Sequence, residues 1–289
     1  MIYDEPRFLP GGDRFVLIEF GNEMNLELNF MAQGLAEAIA TSGTKGVVET
    51  APCFASLLVH YDSDLISPAD LTRELKSLIG NLGPSDHLEL VSRLFYFPAV
   101  YRDPWTRACV EDYCAKITKK EPDPEFVARI NGLADAQQLV RVHSGSEYWV
   151  AALGFWPGLP FMMPLDPRSL ITAPKYNPPR TWTPQGTIGM GGAATAIYPV
   201  ATPGGYQIFA RTPCPIWDPD SRYDAFGGSI CLFRAGDRVK FVPVTVEEFE
   251  FYEAQVKEGT YVFNVNDYQK FSVHNYKQWL GSIDKTARF

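Results

Sequence analysis

The sequence predicts an α+β protein: an N-terminal two-layer α/β sandwich, then a β-barrel, then a C-terminal helix. The first ninety residues alternate between strand and helix periodicities in the order ββαββα. Residues 154–219 contain 8 Gly and 13 Pro, a density that excludes long helices and favours short strands joined by tight turns. From Ser272 onward, apolar residues recur every three or four positions, which is typical of a helix. We expect the sandwich over 1–88, the barrel over 89–255, and an extension with a docking helix over 256–289.

Helix and strand signals in the sandwich are local. One helix is expected from Asn25 to Gly43, because apolar residues recur at helical spacing between them. A second is expected from Ser67, where a hydroxyl N-cap is followed by Pro and by Asp70 in the first turn, and it is expected to end at Gly80. Runs rich in aliphatic and aromatic residues predict the strands at 7–9, 14–20, 46–50 and 56–61.

The predicted barrel begins after a polar, Gly- and Pro-bearing stretch at residues 81–89. A strand is expected over 92–101, short helices within 105–143, and a last strand over 238–243. The Gly/Pro-rich stretch between them is rich in Phe, Tyr and Trp residues that supply a core, which argues against a disordered linker.

Composition excludes several classes of function. The net charge is −8 and no run of four Lys or Arg occurs, which argues against a nucleic acid as the main partner. The sequence lacks an 18-residue apolar run and a signal-like N-terminus, so no membrane insertion is expected. Five scattered cysteines without a CxxC pair indicate reduced thiols and a cytoplasmic protein.

Common catalytic signatures are missing from the sequence. It contains no GxSxG, HExxH or GxxxxGK[ST] motif, and its four histidines are far apart, so no metal site is expected. Residues 189–194 match G-x-G-x-x-A, but neither a buried strand before them nor a crossover helix after them is indicated.

The Gly/Pro-rich stretch carries an ordered series of short motifs. They are Gly154-Phe-x-Pro-Gly-x-Pro-Phe161, Leu165-Asp-Pro-Arg168, Pro179-Arg-x-x-x-Pro-x-Gly-x-x-Gly189, Tyr198-Pro199, Pro203-Gly-Gly-Tyr-Gln207 and Arg211-Thr-Pro213. This series resembles the allophanate hydrolase subunit 1 family, which includes the kinase inhibitor KipI, the B subunit of bacterial 5-oxoprolinase and part of the carboxyltransferase region of urea carboxylase. The resemblance runs from about residue 12 to about residue 243.

The resemblance implies a cyclophilin-like barrel and a companion subunit of the allophanate hydrolase subunit 2 or KipA type, with the active cleft where the two meet. Residues 270–289 look like the helix that precedes the biotin carrier in urea carboxylases. No Met-Lys-Met biotinylation site is present, so we expect biotin on another chain, a biotin carboxylase or carrier protein, and ATP only through a partner subunit. Larger residues than usual stand at Met162-Met163-Pro164 and Phe209-Ala210, and Tyr206 stands where Trp is usual, so the resemblance implies an altered pocket.

Three functions follow from the resemblance. The leading hypothesis is a carboxyltransferase-type subunit that moves a carboxyl group from carboxybiotin to a small urea- or amide-like substrate. The alternatives are the B subunit of an ATP-dependent 5-oxoprolinase, which hydrolyses a lactam, and a non-enzymatic inhibitor of a sensor kinase. In either enzymatic role the chain is expected to be inactive alone.

Amide and urea chemistry needs donors for a developing oxyanion and a base for a nitrogen proton. The catalytic candidates are His143, Arg180 and Arg211; the two alternatives are that His143 caps a helix and that Arg211 anchors a turn. Five glycines, at 186, 189, 191, 204 and 205, are interpreted as turn positions with positive φ. The substrate-binding candidates are Gln185, Thr195, Tyr198, Gln207, Gly204 and Gly205.

The predicted C-terminal helix has a narrow apolar seam formed by Val273, Tyr276, Leu280, Ile283 and Ala287. A helix that packs in the core of its own domain usually has a wider apolar stripe. We therefore expect this helix to dock on another chain.

Overall fold

A computed structural model describes residues 1–267 and 269–289. The elements in chain order are β1 Ile2–Gly11, β2 Phe15–Gly21, α1 Leu26–Ser42, β3 Val47–Cys53, β4 Ser56–Tyr61, α2 Pro68–Leu82, β5 Glu89–Val91, β6 Leu94–Tyr101, α3 Pro104–Lys116, α4 Asp123–Ile130, α5 Ala136–Gly145, β7 Glu147–Leu153, β8 Pro160–Pro164, β9 Thr187–Gly191, β10 Ala194–Ile197, β11 Gln207–Arg211, β12 Arg238–Pro243, α6 Val246–Glu258, β13 Asn264–Asn266, β14 Lys270–Ser272 and α7 Val273–Ser282. The chain divides into two compact units. No helix within the described residues is long and apolar enough to span a bilayer.

The first unit contains Met1–Ser92 and the described residues of 268–283. Its main sheet is antiparallel, in the order β1-β2-β4-β3. The alternating strand residues Ile18 and Leu57 are fully buried, and α1 and α2 cover them with Leu35 and Leu75. This is the predicted two-layer sandwich of order ββαββα.

The predicted helix starts are confirmed by their caps. The Asn25 side chain accepts a hydrogen bond from Glu27 N, and the Ser67 hydroxyl accepts one from Asp70 N. The expected end of α2 at Gly80 is wrong, because the helix continues to Leu82 and ends at Gly83, whose φ is 66°. Gly80 is exposed, and a glycine at such a position costs only about 1 kcal/mol relative to Ala, which does not break a helix with a buried apolar face.

The second unit contains Arg93–Asp267 and Asp284–Phe289. Seven of its strands close into a mixed barrel in the order β7-β12-β6-β11-β9-β10-β8, with β8 pairing back to β7. The β12–β6 pair is parallel, and the other six pairs are antiparallel. The interior is rich in aromatic side chains, including Phe95, Phe97, Phe209 and Phe241, each at most 1% exposed. The predicted α+β class and barrel are therefore confirmed.

The structure divides the predicted C-terminal extension, 256–289, between the two units. Helix α7 packs on its own unit, where Tyr276 lies edge-on to Phe30 and Lys277 binds the carboxylates of Glu27 and Asp86. The helix ends at Ser282, because Ile283 is extended, with φ −94° and ψ 147°. The predicted seam therefore does not continue as a helix to Ala287, and the face expected to dock on another chain covers part of its own unit.

The last residues of the chain belong to the barrel unit. The Phe289 ring lies against Gly145 and under the guanidinium of Arg168, 4.5 Å from ring centroid to Cζ. Arg288 donates to the carbonyl oxygen of Leu170 at 2.8 Å. These contacts fix the C-terminus on the surface of the barrel.

Candidate functional site

The barrel unit contains a cavity of about 250 Å³ at the Gly/Pro-rich segment. Its walls come from the turn after β7, from the extended arm before β9 and from the residues after β10. Three of the predicted substrate-binding residues, Tyr198, Gly204 and Gly205, line it. The surrounding side chains are mainly apolar and aromatic, namely Phe155, Leu159, Phe161, Pro179, Ala196 and Tyr206, and Lys175 supplies a charge.

Strand alternation decides which residues of β10 reach this cavity. Ala196 lines it, whereas the hydroxyl of the adjacent Thr195 lies 3.3 Å from His143 Nε2 inside the barrel. Successive side chains of a strand point to opposite faces, so the two neighbours serve different environments. The predicted substrate-binding residue Thr195 is thus separated from the cavity.

Glycines allow the aromatic rings to come close to the backbone at the cavity. A Cβ atom on Gly204 would lie 2.4 Å from the Tyr198 hydroxyl oxygen, and one on Gly191 would lie 2.5 Å from two ring carbons of Tyr206. Of the five glycines interpreted as positive-φ turn positions, only Gly186 has such a φ, 76°. The interpretation is wrong for the other four. At Gly189, Gly191 and Gly204 close approach rather than backbone conformation excludes a side chain, whereas a Cβ atom on Gly205 would have its nearest neighbour 3.6 Å away, an ordinary contact.

Arg180 lies behind the cavity wall and is 1% exposed. Its backbone pairs with Gly204 in both directions, with N···O distances of 2.9 and 3.2 Å. Its guanidinium donates to the Tyr206 carbonyl oxygen at 2.5 Å and to the Thr183 hydroxyl, and it stacks 4.4 Å from the ring centroid of Tyr176. Burial raises the pKa of the neighbouring Tyr198 phenol, and the Arg180 charge acts in the opposite direction. Arg180 therefore positions the cavity wall without being exposed to the cavity.

A second, half-buried cation stands near Arg180. Lys120 binds the fully buried carboxylate of Asp123 and donates to Gln207 Oε1 at 2.8 Å. Burial lowers the pKa of Lys120, the Asp123 charge opposes this, and the Arg180 charge adds to the lowering. Asp123 also accepts bonds from the Tyr176 hydroxyl and from the Ile208 amide. The predicted substrate-binding residue Gln207 thus belongs to this internal cluster.

His143, the predicted base, lies in the aromatic interior of the barrel and is fully buried. Its Nδ1 lies 2.8 Å from the Tyr101 hydroxyl and its Nε2 3.3 Å from the Thr195 hydroxyl. Burial lowers the pKa of His143 to about 3, so the imidazole is neutral at ordinary pH. The structure does not bring His143 to the cavity.

Arg211 anchors a turn, which was the alternative to a catalytic role for this residue. Its Nε donates to the Gln185 carbonyl oxygen at 2.8 Å, and its Nη2 lies 3.3 Å from a carboxylate oxygen of Glu253. The guanidinium also stacks between Trp105 and Phe249, 5.1 and 5.0 Å from the ring centroids. Neither Arg211 nor Gln185 lines the cavity described above.

The sequence predicted no site role for Lys175 or Phe155, and it indicated Tyr206 only as a departure from the family pattern; all three line the cavity. The available signal was position, because Phe155 and Tyr206 lie in quoted Gly/Pro motifs and Lys175 lies four residues before the motif that starts at Pro179. Phe155 is 69% exposed and has a φ of 66°, unusual for a bulky residue. Within the described residues, no group of three or more His, Cys, Asp or Glu side chains could hold a metal ion.

An α/β sandwich followed by a closed mixed barrel with an apolar cavity is the architecture that the motif series predicted. The chain belongs to the family described as carboxyltransferase domain, subdomain C and D, whose model matches residues 6–226.

Three relatives show how far the similarity extends. The chain is 29% identical over 286 residues to urea amidolyase of Saccharomyces cerevisiae, covering 94% of this chain but 15% of that protein. It is 32% identical over 244 residues to the 5-oxoprolinase B subunit of Bacillus subtilis, covering 84% of this chain and 95% of that protein. The crystal structure of Kluyveromyces lactis urea carboxylase matches 97% of this chain and 26% of its own, with a TM-score of 0.83 and 27% identity. The chain therefore spans about a seventh of the urea amidolyase it matches.

Proposed function

We propose that this chain is a carboxyltransferase-type subunit that acts with a companion barrel subunit and moves a carboxyl group from carboxybiotin, carried on another chain, to a small urea- or amide-like substrate. The extent of the sequence similarity supports this proposal. Urea amidolyase aligns with 94% of the chain, whereas the 5-oxoprolinase B subunit of Bacillus subtilis aligns with 84%. ATP would be used only by a partner subunit.

The cavity has the character that a flat, uncharged ring requires. Phe155, Phe161 and Tyr206 offer ring faces and edges, and burial against them excludes water from the reacting groups. These three residues would hold the ureido ring of biotin, which supplies the transferable carboxyl group when it is bound. Tyr198 lines the same wall, and its hydroxyl would donate to a substrate carbonyl oxygen.

The base is expected from the companion subunit. Among the described residues, those lining the cavity include neither a carboxylate nor a histidine. His143 is fully buried elsewhere and is neutral, so it lacks access to a substrate nitrogen in this cavity. An incomplete set of catalytic groups agrees with an enzyme whose active cleft needs two subunits.

A second candidate is the B subunit of a 5-oxoprolinase. The alignment with the Bacillus subtilis protein of that name covers 95% of that relative, so a chain of comparable extent exists there as a separate subunit. In that case the same cavity would accept a lactam, and no biotin would be required.

Affinity purification of the tagged chain from its native host separates the two. The carboxylase proposal expects a companion subunit together with a streptavidin-reactive polypeptide, and ATP- and bicarbonate-dependent turnover of urea that avidin abolishes. An avidin-resistant complex that hydrolyses 5-oxoproline with ATP would overturn the proposal in favour of the second candidate. A purified complex with neither activity would overturn both.

A further inference from the structure

Helices α3 and α4 border a second cavity of about 230 Å³ in the barrel unit, here called the α3–α4 cavity. Its described lining contains none of the site residues predicted from the sequence and shares no residue with the cavity at the Gly/Pro-rich segment. We infer that the α3–α4 cavity binds a small aliphatic α-amino acid in its zwitterionic form. This binding is separate from the proposed function, because the two cavities have different walls.

Part of the α3–α4 cavity is apolar. Val110 of α3 and Ile208 of β11 are buried there, and Pro122 and Pro124 lie at the start of α4. A compact aliphatic group that enters leaves water for these side chains, which favours its binding. A volume of this size accommodates only a small ligand.

Two buried carboxylates also line the cavity, and both already have donors within the chain. Asp103 accepts hydrogen bonds from the backbone nitrogen and the hydroxyl of Thr106, at 2.8 and 2.6 Å. Asp123 accepts one from the Ile208 amide at 2.7 Å and binds Lys120. Because buried polar groups need partners and these have them, neither carboxylate requires a ligand.

The exposed charges of the same lining are incompletely paired. Arg107 and Glu111 lie one turn apart on α3, and within the described residues neither side chain makes a hydrogen bond or an ion pair. Arg102 approaches Glu125 only to 3.6 Å, between Nη2 and Oε1, and these side chains are 46% and 41% exposed. Exposed ion pairs of this kind are weak. The lining therefore offers both a guanidinium and a carboxylate to a ligand.

A free α-amino acid carries the complementary charges on adjacent groups. Its carboxylate can accept two parallel hydrogen bonds from a guanidinium, that of Arg107, with Arg102 as a second cation nearby. Its ammonium group can donate to the carboxylate of Glu111. A ligand that lacks either charge leaves one of these two side chains without its partner. The pairing therefore selects the zwitterion over an amine or an acid of the same shape.

Three matched probes test the inference by isothermal titration calorimetry on the full chain at pH 7. L-Valine carries both charges, L-valinamide lacks the carboxylate, and isovalerate lacks the ammonium group. We expect L-valine to bind about tenfold more tightly than either analogue, equivalent to about 1.4 kcal/mol in each comparison.

Variants assign each preference to one side chain. Arg107→Gln should remove most of the preference over L-valinamide and keep that over isovalerate, whereas Glu111→Gln should do the reverse. Arg141→Gln is the matched control, because Arg141 is an exposed residue of α5 outside both linings. Both test residues are exposed and without side-chain hydrogen bonds, so all three variants should keep the melting temperature of the wild type.

Lys175→Met locates the ligand, since Lys175 lines the other cavity and its replacement should leave L-valine binding unchanged. Absence of L-valine binding, equal binding of the three probes, or unchanged preferences in Arg107→Gln and Glu111→Gln would overturn the inference. Loss of L-valine binding in Lys175→Met would overturn it as well, because the ligand would then occupy the other cavity. Carboxyl transfer by the complex is decided by separate assays, so failure of the proposed function would leave these binding results intact.

Discussion

Replacing His143 by Gln should change how the stability of the barrel depends on pH. His143 is fully buried, and burial lowers its pKa from about 6.5 to about 3. The folded protein therefore binds fewer protons than the unfolded chain between these two pH values. The contribution of neutral, buried His143 to the stability of the folded protein is complete above pH 6.5 and is lost as the pH falls toward 3.

The size of this effect follows from the shift in the pKa of His143. At 1.36 kcal/mol per pKa unit, the shift corresponds to a maximum of about 5 kcal/mol in the free energy of unfolding. About 3 kcal/mol of this is lost between pH 7 and pH 4. Gln keeps an amide donor and acceptor for Tyr101 and Thr195 but binds no proton. The wild-type chain should therefore lose about 3 kcal/mol more than His143→Gln over this interval.

Urea denaturation from pH 4 to pH 7, followed by a signal from the barrel unit, measures the difference. Thr195→Val provides the control, because it removes one partner of the imidazole but keeps the titrating group, so the wild-type pH dependence should remain. Parallel profiles of the wild type and His143→Gln, or an imidazole NMR signal that titrates near pH 6.5, would refute the burial argument and restore His143 as a candidate base.

Three further variants test the cavity and the C-terminus. Gly204→Ala should cost about 1–3 kcal/mol, because its Cβ would lie 2.4 Å from the Tyr198 oxygen. Gly205→Ala should cost less, because the nearest atom is 3.6 Å away, and equal effects of the two variants in differential scanning calorimetry would contradict this. Arg180→Met should lower the melting temperature by several degrees, since it leaves a buried carbonyl oxygen without its donor, and an unchanged melting temperature would show that these bonds are dispensable. Phe289→Ala should cost about 1–2 kcal/mol in chemical denaturation through lost packing on the barrel, and no loss would mean that the C-terminus is not held there.

Local physical chemistry let the sequence predict most elements and the fold class. The start of α2 was predictable because Ser67, Pro68 and Asp70 act within one turn of helix, without help from distant residues. The barrel was predictable because dense Pro and Gly residues prevent long helices, while the aromatic residues between them provide a core. The motif series also gave the family, since it records the order of turns around the barrel.

Tertiary structure decided which of the candidate residues line the cavity. Thr195 and Ala196 are adjacent in sequence, yet one faces the barrel interior and the other the cavity, because pairing with the neighbouring strands sets the direction of each side chain. His143 reads equally well as a base or as an internal residue until the rings around it are known. Lys175 lines the cavity because the fold places it 5.4 Å from the ring centroid of Tyr206, which is thirty-one positions away in the sequence.

The C-terminal helix shows the same division between local and long-range information. Its 3-4 spacing determined that a helix forms and that one narrow face is apolar. The spacing held no information on what covers that face, because a partner chain and its own domain bury the same side chains in the same way. The contacts of Tyr276 with Phe30, and of Lys277 with Glu27, decided that its own unit does so. Periodicity indicates that one face of a helix is buried, but only long-range packing determines which surface covers that face.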